Sequence, residues 1–524
     1  MPPEAAPPLP LARSLWDSGP PPPCPASYNM AADVLGRAAR LPDKVALAIV
    51  TPESAERWSF ARLEVAVRGT ATGLGRLGLA PGARVLLRLG NTIDFPVAFL
   101  GALAAGLVPV ASSAQLTAAE LDALLPGLGP ALILAAPGIA LPSAPPCPVL
   151  DLADLAAMRD LPPADYLMGD PERPGYIVFT SGSSGRTRAV VHAHRTFRAR
   201  RMMWQGWYGL GESDRVMHAG AFNWTWTLGT GLMDPWAAGA TAIVPGPGAD
   251  RHTLPLLLAR HEASIFAAVP GVLRQILETG APLALPRLRH TLAAGEALPP
   301  ALRAAWEAAT GRPVHEALGM SEVSTFVSGS PARPAPVGAT GYPQPGRRVA
   351  VLPEDGDAPL PCGMPGILAV SRRDPGLMLG YDGAPEETAA RMRGEWFLTG
   401  DIVSMTEDGA ITYHGRADDM LNAGGFRVAP AEVEAALGAH PGVSEAAAVA
   451  LPVREGVEVI AAFYVAASPL REEELAAWCA ARLARYKCPR LFIRAQSLPR
   501  GANGKLLRRV LRAGWAEQRQ GDTA

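Results

Sequence analysis

The chain has few of the features that would place it in several large protein classes. Its 524 residues carry five cysteines, Cys24, Cys147, Cys362, Cys479 and Cys488, and no CxxC pair. An odd count without paired spacing argues against a disulfide framework and a structural zinc site, and suits thiols in a reducing compartment. The formal net charge is −1, so no global field draws the protein to nucleic acid or to an anionic membrane. Any anionic ligand must be met by local groups. No stretch approaches the roughly 20 apolar residues that span a bilayer. The first residues, MPPEAAPPLPLARSLWDSGPPPPCPAS, lack the basic start and apolar run of a secretory signal. Residues 1–27 read as a proline-rich extended arm, either laid on the surface or without fixed structure. These absences lead to the expectation of a cytoplasmic protein without nucleic-acid or membrane partners.

What is present is globular: 48% of residues are hydrophobic and 19% charged, in a chain too long for one core. From about Tyr28 to Val178 short apolar strands such as ARVLLRLG alternate with helical segments such as TIDFPVAFLGALAAG. The alternation continues through RVMHAGAF, TAIVPG, ASIFAAVP and LRHTLAAG, the pattern of βαβ units and parallel sheet. After about Pro336, Gly and Pro punctuate short strands such as GILAVS and AITYHG, a β-rich character. The last 110 or so residues alternate as a small α+β domain would. The expected fold is therefore α/β. A large N-terminal domain, 28–416, holds mixed α/β subdomains with parallel sheets and a β-rich subdomain. A small α+β C-terminal domain, 417–524, follows a boundary near Arg416–Asp418.

Five stretches could carry chemistry. In GYIVFTSGSSGRTRAV a strand-like run enters a loop of Gly, Ser, Thr and Arg, residues whose N–H groups, hydroxyls and charge can converge on phosphate. It is not a Walker A loop, since GxxxxGK[ST] is absent. In HEALGMSEVSTF, Ser321 offers a hydroxyl and Glu322 a carboxylate suited to a hard cation such as Mg²⁺. EWFLTGD ends in Asp401, placed to hydrogen-bond ribose hydroxyls. GRADDMLNAGGFRV and LPRGANGKLLRRVLR complete the set. Each alone also reads as a surface loop, a helix start or a solvated charged face.

In this order and spacing the five stretches, from about Tyr28 to Arg512, resemble the adenylate-forming superfamily of acyl-CoA synthetases, peptide-synthetase adenylation domains and luciferases. The resemblance implies ATP, Mg²⁺ and CoA as reactants and cofactors. Thr180, Ser181, Gly182, Ser183, Ser184 and Gly185, with Arg188, would hold the β- and γ-phosphates. Gly295, Glu296 and Ala297, with Glu316, Ala317 and Leu318, would line the adenine, and Gly319 and Met320 would also lie at the ATP. Ser321 would face phosphate and Glu322 would hold Mg²⁺. Asp401 and Arg416 would grip the ribose, with Arg427 also at the nucleotide. Asp418 would be the hinge of a mobile C-terminal domain, Gly424 and Gly425 the path of CoA, and Lys505 the catalytic lysine. Lys505, Glu322 and Arg416 would carry the catalysis.

The departures from the family pattern are specific. The usual PKG is Thr187-Arg188-Ala189, in which Arg188 keeps a charge able to bind phosphate bidentately. Leu318 replaces a tyrosine, and Asn422 stands where many members have lysine. His192 and His194 read as structural or loop-positioning rather than catalytic.

Phe222, Asn223, Trp224 and Gly319 would form the acyl pocket, with Trp226 beside them. Acetate-specific relatives place tryptophan at the position of Gly319, so glycine implies a larger acid. Asn223 lacks the charge needed to pair an α-amine, which disfavours amino acids. The overall character is similar to benzoate-type and medium-chain acid–CoA ligases. Two rivals remain: an adenylation enzyme that loads a carrier-protein thiol, and a nucleotide-binding protein without turnover. Retention of Lys505 with Glu322 argues against the second, and no carrier domain is expected after Lys505. A homodimer is compatible with the sequence and not specified by it. PRGANGK also resembles the context in which such synthetases are acetylated, which implies a lysine acetyltransferase and deacetylase acting on Lys505. Acetylation there is expected to stop pyrophosphate exchange and spare thiolation; normal exchange by acetylated protein would refute it.

Overall fold

The computed structural model describes residues 12–181, 187–280, 283–417, 419–423, 426–454, 457–500 and 506–521. Two large sheets form the α/β part. One has nine strands, and its centre, Val314–Met320, His290–Ala294, Ile265–Ala268, Arg215–His218, Thr241–Pro245 and Val45–Val50, is parallel throughout. Antiparallel strands close both edges. The other has seven strands. Val108–Ala111, Arg84–Arg88, Leu132–Ala135 and Val149–Leu150 pair in parallel, and Pro174–Ser181 joins Val108–Ala111 the same way.

Strands buried on both faces need helices on both faces, and the apolar segment DFPVAFLGALA supplies one. It forms the helix Asp94–Ala104, in which every residue after Asp94 is buried. Gly101 is required there: a Cβ would lie 2.7 Å from Thr70 Cγ2 on the helix Phe60–Arg76. The helix read in YNMAADVLGRAAR is shorter than its periodicity predicts. It spans Met30–Val34 and then unwinds into turns around Gly36, a residue that weakens helix.

The β-rich part is a six-stranded antiparallel sheet built from Arg348–Leu352, Gly366–Ser371, Trp396–Met405, Met392–Arg393 and Ile411–Arg416, with Leu15–Asp17 on its edge. The described part of the proline-rich arm is thus laid on the surface and pairs as a strand with residues 348–350. Trp16 explains Gly409, where a Cβ would meet the indole at 2.3 Å and where φ is +85°. The C-terminal part holds a three-stranded sheet, Glu445–Arg454, Val457–Val465 and Leu491–Arg494, with the helices Pro430–Gly438, Glu472–Ala480 and Arg508–Gly521. Among the described residues no helix is long and apolar enough to cross a membrane.

One buried network was invisible in the sequence. Arg200 is buried and grips Asp234 through Nε at 3.0 Å and Nη2 at 2.6 Å, while Nη1 donates to Ser324 Oγ at 2.6 Å. The Tyr208 hydroxyl donates to Asp234 at 2.9 Å. The chain passes Arg200 as a π-helical turn, Gly229–Met233, and a Cβ at Gly229 would sit 1.8 Å from the guanidinium carbon.

Five buried histidines add a pH dependence. Burial lowers His192 and His315 to about 4, and His194, His218 and His290 to about 3. In the unfolded chain each titrates near ~6.5, so below that pH the unfolded state binds more protons. Their contribution is complete above about pH 6.5 and is lost as pH falls toward the folded values. The thermal midpoint at constant ionic strength is therefore expected to fall steadily from about pH 6.5 to about pH 4.5. A flat or rising profile over that window would contradict neutral burial.

Candidate active site

The apolar run GYIVFT becomes the strand Pro174–Ser181 and returns as Thr187–Ala193. The pairs Thr180–Arg188 and Ser181–Thr187 set the two ends of the Gly/Ser loop side by side. Gly182, Ser183, Ser184, Gly185, Asp418, Gly424, Gly425 and Lys505 lie outside the described residues, as do the side chains of Ser181, Asn422 and Arg427. Arg188 does not stand alone toward a phosphate. Its Nε lies 2.5 Å from Glu387 on the helix Pro385–Ala389, and its guanidinium carbon is 5.2 Å from the Tyr381 ring centroid. A cleft of about 350 Å³ opens here, lined by Arg188, Glu387, Arg391 and Gly400 among others.

Ser321 and Glu322 occupy the turn between Val314–Met320 and Ser324–Ser328. This hairpin carries a bulge at Leu318/Gly319. A Cβ at Gly319 would lie 2.6 Å from both Ser324 O and Thr325 Cα. The glycine is thus explained by the close approach of the two strands, a cause the sequence reading had not weighed beside acyl space. His192 holds the turn from below: its Nε2 is 2.8 Å from the Ser321 carbonyl oxygen, and its ring stacks on Tyr176 at 4.8 Å. A carbonyl only accepts, so the neutral ring carries its proton on Nε2. His194 is structural, its Nδ1 accepting from the Met30 N–H at 3.0 Å.

Glu322 is buried, and its Oε1 accepts a hydrogen bond from the Tyr381 hydroxyl at 2.7 Å. Burial and then the Glu322 carboxylate push the Tyr381 phenol up, so it stays a donor. Tyr381 sits in a strap pinned to both sheets. Met378 N–H donates to Glu322 O at 2.7 Å, Leu379 N–H to Val191 O at 2.8 Å, and Asp382 N–H to Ala189 O at 2.8 Å. The Asp382 carboxylate takes two bonds from Arg84, at 2.6 and 2.8 Å. Neither Tyr381 nor Glu387 was singled out in the sequence, although both lie in one short segment, GYDGAPEET.

The residues present suit Mg²⁺. Among the described residues no three His, Cys, Asp or Glu side chains cluster as a self-sufficient metal site. A single carboxylate oxygen, completed by water and phosphate oxygens, is the way Mg²⁺ is usually held with nucleotides.

Asp401 and Arg416 face each other across paired strands, with Arg416 Nη1 3.2 Å from Asp401 Oδ1 and 2.8 Å from Thr399 O. The two segments expected at the adenine are neighbours, since Ala294 pairs with Ala317. Gly295 has φ +94°, and a Cβ there would meet Trp224 at 2.6 Å. The carboxylates of these segments are tied down. Glu316 accepts from Leu298 N–H and Arg303, each at 3.0 Å, and its pKa is raised by burial. Glu296 accepts from Gly271 N–H at 3.1 Å and from Arg500 at 2.9 Å.

In the segment expected at the acyl group, Phe222 is buried against Phe95 at 5.3 Å, and Asn91 brackets it by bonds to Gly220 O and Phe222 N–H. Asn223 and Trp224 are half-buried, and Trp224 meets the buried Trp226 edge-on at 5.4 Å. Trp224 therefore packs between Trp226 and Gly295.

Comparison with known proteins shows the family and the fold. The profile of the AMP-binding enzyme family matches residues 35–382, and that of the AMP-binding enzyme C-terminal domain matches 432–505. The chain is 32% identical to a benzoate–CoA ligase of Thauera aromatica, over 93% of this chain and 96% of the relative. The crystal structure of an anthranilate CoA ligase, AuaEII, with anthranoyl-AMP superposes with a TM-score of 0.85 at 25% identity, covering 94% of this chain and 98% of that one. A benzoate CoA ligase from Burkholderia xenovorans LB400 gives 0.82 at 29% identity, covering 93% and 100%.

Tyr381→Phe would leave the buried Glu322 Oε1 without its donor, a loss of about 1–3 kcal/mol. The thermal midpoint is expected to fall. The Mg²⁺ concentration that half-saturates nucleotide binding, read by calorimetry, is expected to rise several-fold. No change in either would show that the bond does not position the carboxylate.

Proposed function

The chain belongs to the AMP-binding enzyme family, and from that premise we propose that it is an ATP-dependent acid–CoA ligase. It activates a carboxylic acid larger than acetate, aromatic or of short to medium chain, as an acyl-adenylate. It then passes the acyl group to CoA, with release of pyrophosphate and AMP. The observation that carries this reading is the strap at 378–382, which joins the Glu322 turn to the strand leaving the phosphate loop.

A carboxylate oxygen of the acid attacks the α-phosphorus, and the bond to the bridging oxygen of pyrophosphate breaks. The substrate supplies the nucleophile, so this chain needs no catalytic triad. Its task is to hold reactants in line and to place charge where charge develops. The hairpin ending at Thr180 and Arg188 presents the loop to the β- and γ-phosphates. Asp401 accepts from the ribose hydroxyls, oriented by Arg416. Mg²⁺ bound at Glu322 would offset phosphate charge. Lys505 contacts the acid carboxylate and the α-phosphate. In the second step the CoA thiol attacks the acyl carbon and AMP leaves with the bridging oxygen. Rotation of the C-terminal domain about Asp418 withdraws Lys505 and brings Gly424 and Gly425 to the CoA path.

The aromatic assignment rests on the acyl segment and on the relatives. Phe222, Trp224 and Trp226 make this wall largely apolar, and Asn223 brings no charge for an α-ammonium group. The relatives are named for benzoate and anthranilate.

The test is turnover with ATP, Mg²⁺ and CoA across acetate, butyrate, hexanoate, benzoate and the hydroxybenzoates, with AMP release and the acyl-CoA mass both recorded. A CoA thioester with benzoate-type or medium-chain acids, and little with acetate, is expected. Acid-dependent AMP formation without thioester would assign the acyl group to a carrier-protein thiol instead.

A further inference from the structure

The large and small domains meet through a line of four alternating charges. Glu296 and Arg274 belong to the large domain, Arg274 on the helix Pro270–Glu278. Arg500 and Glu445 belong to the small one, Glu445 at the start of the strand Glu445–Arg454. Arg500 spans the boundary: Nη1 donates to Glu296 Oε2 at 2.9 Å and Nη2 to Glu445 Oε2 at 2.8 Å. Arg274 Nη1 lies 3.4 Å from the same Glu445 oxygen. The boundary is thus crossed twice, once in each direction of charge. All four side chains are between 19% and 27% exposed, dry enough for the pairs to outlast solvent screening.

Two features tie this cluster to the chemistry. Glu296 belongs to the segment expected at the adenine, and its other oxygen is fixed by the Gly271 N–H. Arg500 bridges Leu506 through the backbone, so the residue making the contact is also the anchor of the sequence that contains Lys505. The remaining ion pairs of the small domain behave differently. Arg508 with Glu434 and Asp419, and Lys487 with Glu432, lie within that domain and survive any rigid rotation of it. Among the described residues, the Glu296–Arg500 and Arg274–Glu445 pairs cross the boundary and must break when the domain turns.

We propose that this line is the latch of the adenylating arrangement, with Arg500 as a positioning residue for the first half-reaction alone. The inference rests on the acid–CoA ligase reading. Truncating one partner of a part-buried interfacial pair weakens the docked arrangement by about tenfold or more. The arrangement used for thioester formation has no use for the contact.

The experiment measures two half-reactions on the full-length enzyme and on Arg500→Ala, Arg500→Lys and Arg274→Ala. Acid-dependent ATP–pyrophosphate exchange reads the first, and thioester formation from supplied acyl-adenylate and CoA reads the second. Arg500→Ala is expected to lower exchange about tenfold or more in kcat, with KM for ATP within about twofold, and to leave thioester formation unchanged or faster. Arg274→Ala should give a smaller selective loss. Arg500→Lys, which keeps the charge but cannot fork to both carboxylates, should recover part of the exchange. Equal loss in both half-reactions would reduce Arg500 to a structural role, and loss in neither would remove the latch. If wild type itself shows no acid-dependent exchange, the ligase reading fails rather than the latch.

Discussion

A hydroxyl-to-carboxylate bond, Tyr381 to Glu322 at 2.7 Å, joins the two sheets that make the site. The seven-stranded sheet supplies the hairpin Pro174–Ser181 and Thr187–Ala193, and the nine-stranded sheet supplies Glu322. The strap that carries Tyr381 is fixed by backbone bonds to both, and Arg84 clamps its far end at Asp382. With a net charge of −1 the protein has no long-range pull on a polyanion. The site must instead hold each of its carboxylates in a set place. Glu322 is held by Tyr381, Asp401 by Arg416, Glu316 by Arg303 and Glu296 by Arg500.

Behind this layer lies Arg200, which reaches Asp234, Tyr208, Thr230 and Ser324. Breaking a buried pair of this kind by removing one partner costs about 3–5 kcal/mol, because the other charge is left stranded. The network couples the turn after Glu322 to the segment that follows Trp224 and Trp226, since Ser324 and Thr230 share one guanidinium. The π-helical turn at Gly229–Met233 is the backbone shape that leaves room for that guanidinium.

Much of this was legible in the sequence wherever the signal was local. Apolar strands alternating with helices gave the parallel sheets. The strand-like flanks of the Gly/Ser loop gave a hairpin, and the order of five motifs gave the family. Contacts between distant residues left no such trace. Arg500 and Glu296 are 204 positions apart and Arg84 and Asp382 are 298 apart, and nothing in either neighbourhood announces a partner. Gly319 and Arg188 show a subtler limit. The sequence marked both as special, but the cause lies in their surroundings. The Ser324–Thr325 backbone crowds Gly319, and Glu387 engages Arg188. The pairing of Leu15–Asp17 with the β-rich sheet was also hidden, because a strand of three residues has no periodicity to read.

The account stands on one chemical statement: the substrate carboxylate is the nucleophile at the α-phosphorus, and this chain only positions and neutralises. Turnover of a benzoate-type acid labelled with heavy oxygen in both carboxylate positions tests it directly, by mass spectrometry of the products. The account predicts that AMP carries one labelled oxygen and the acyl-CoA retains the other, with none in pyrophosphate. Unlabelled AMP, or label in pyrophosphate or phosphate, would mean that no acyl-adenylate forms and would contradict the assignment of the site.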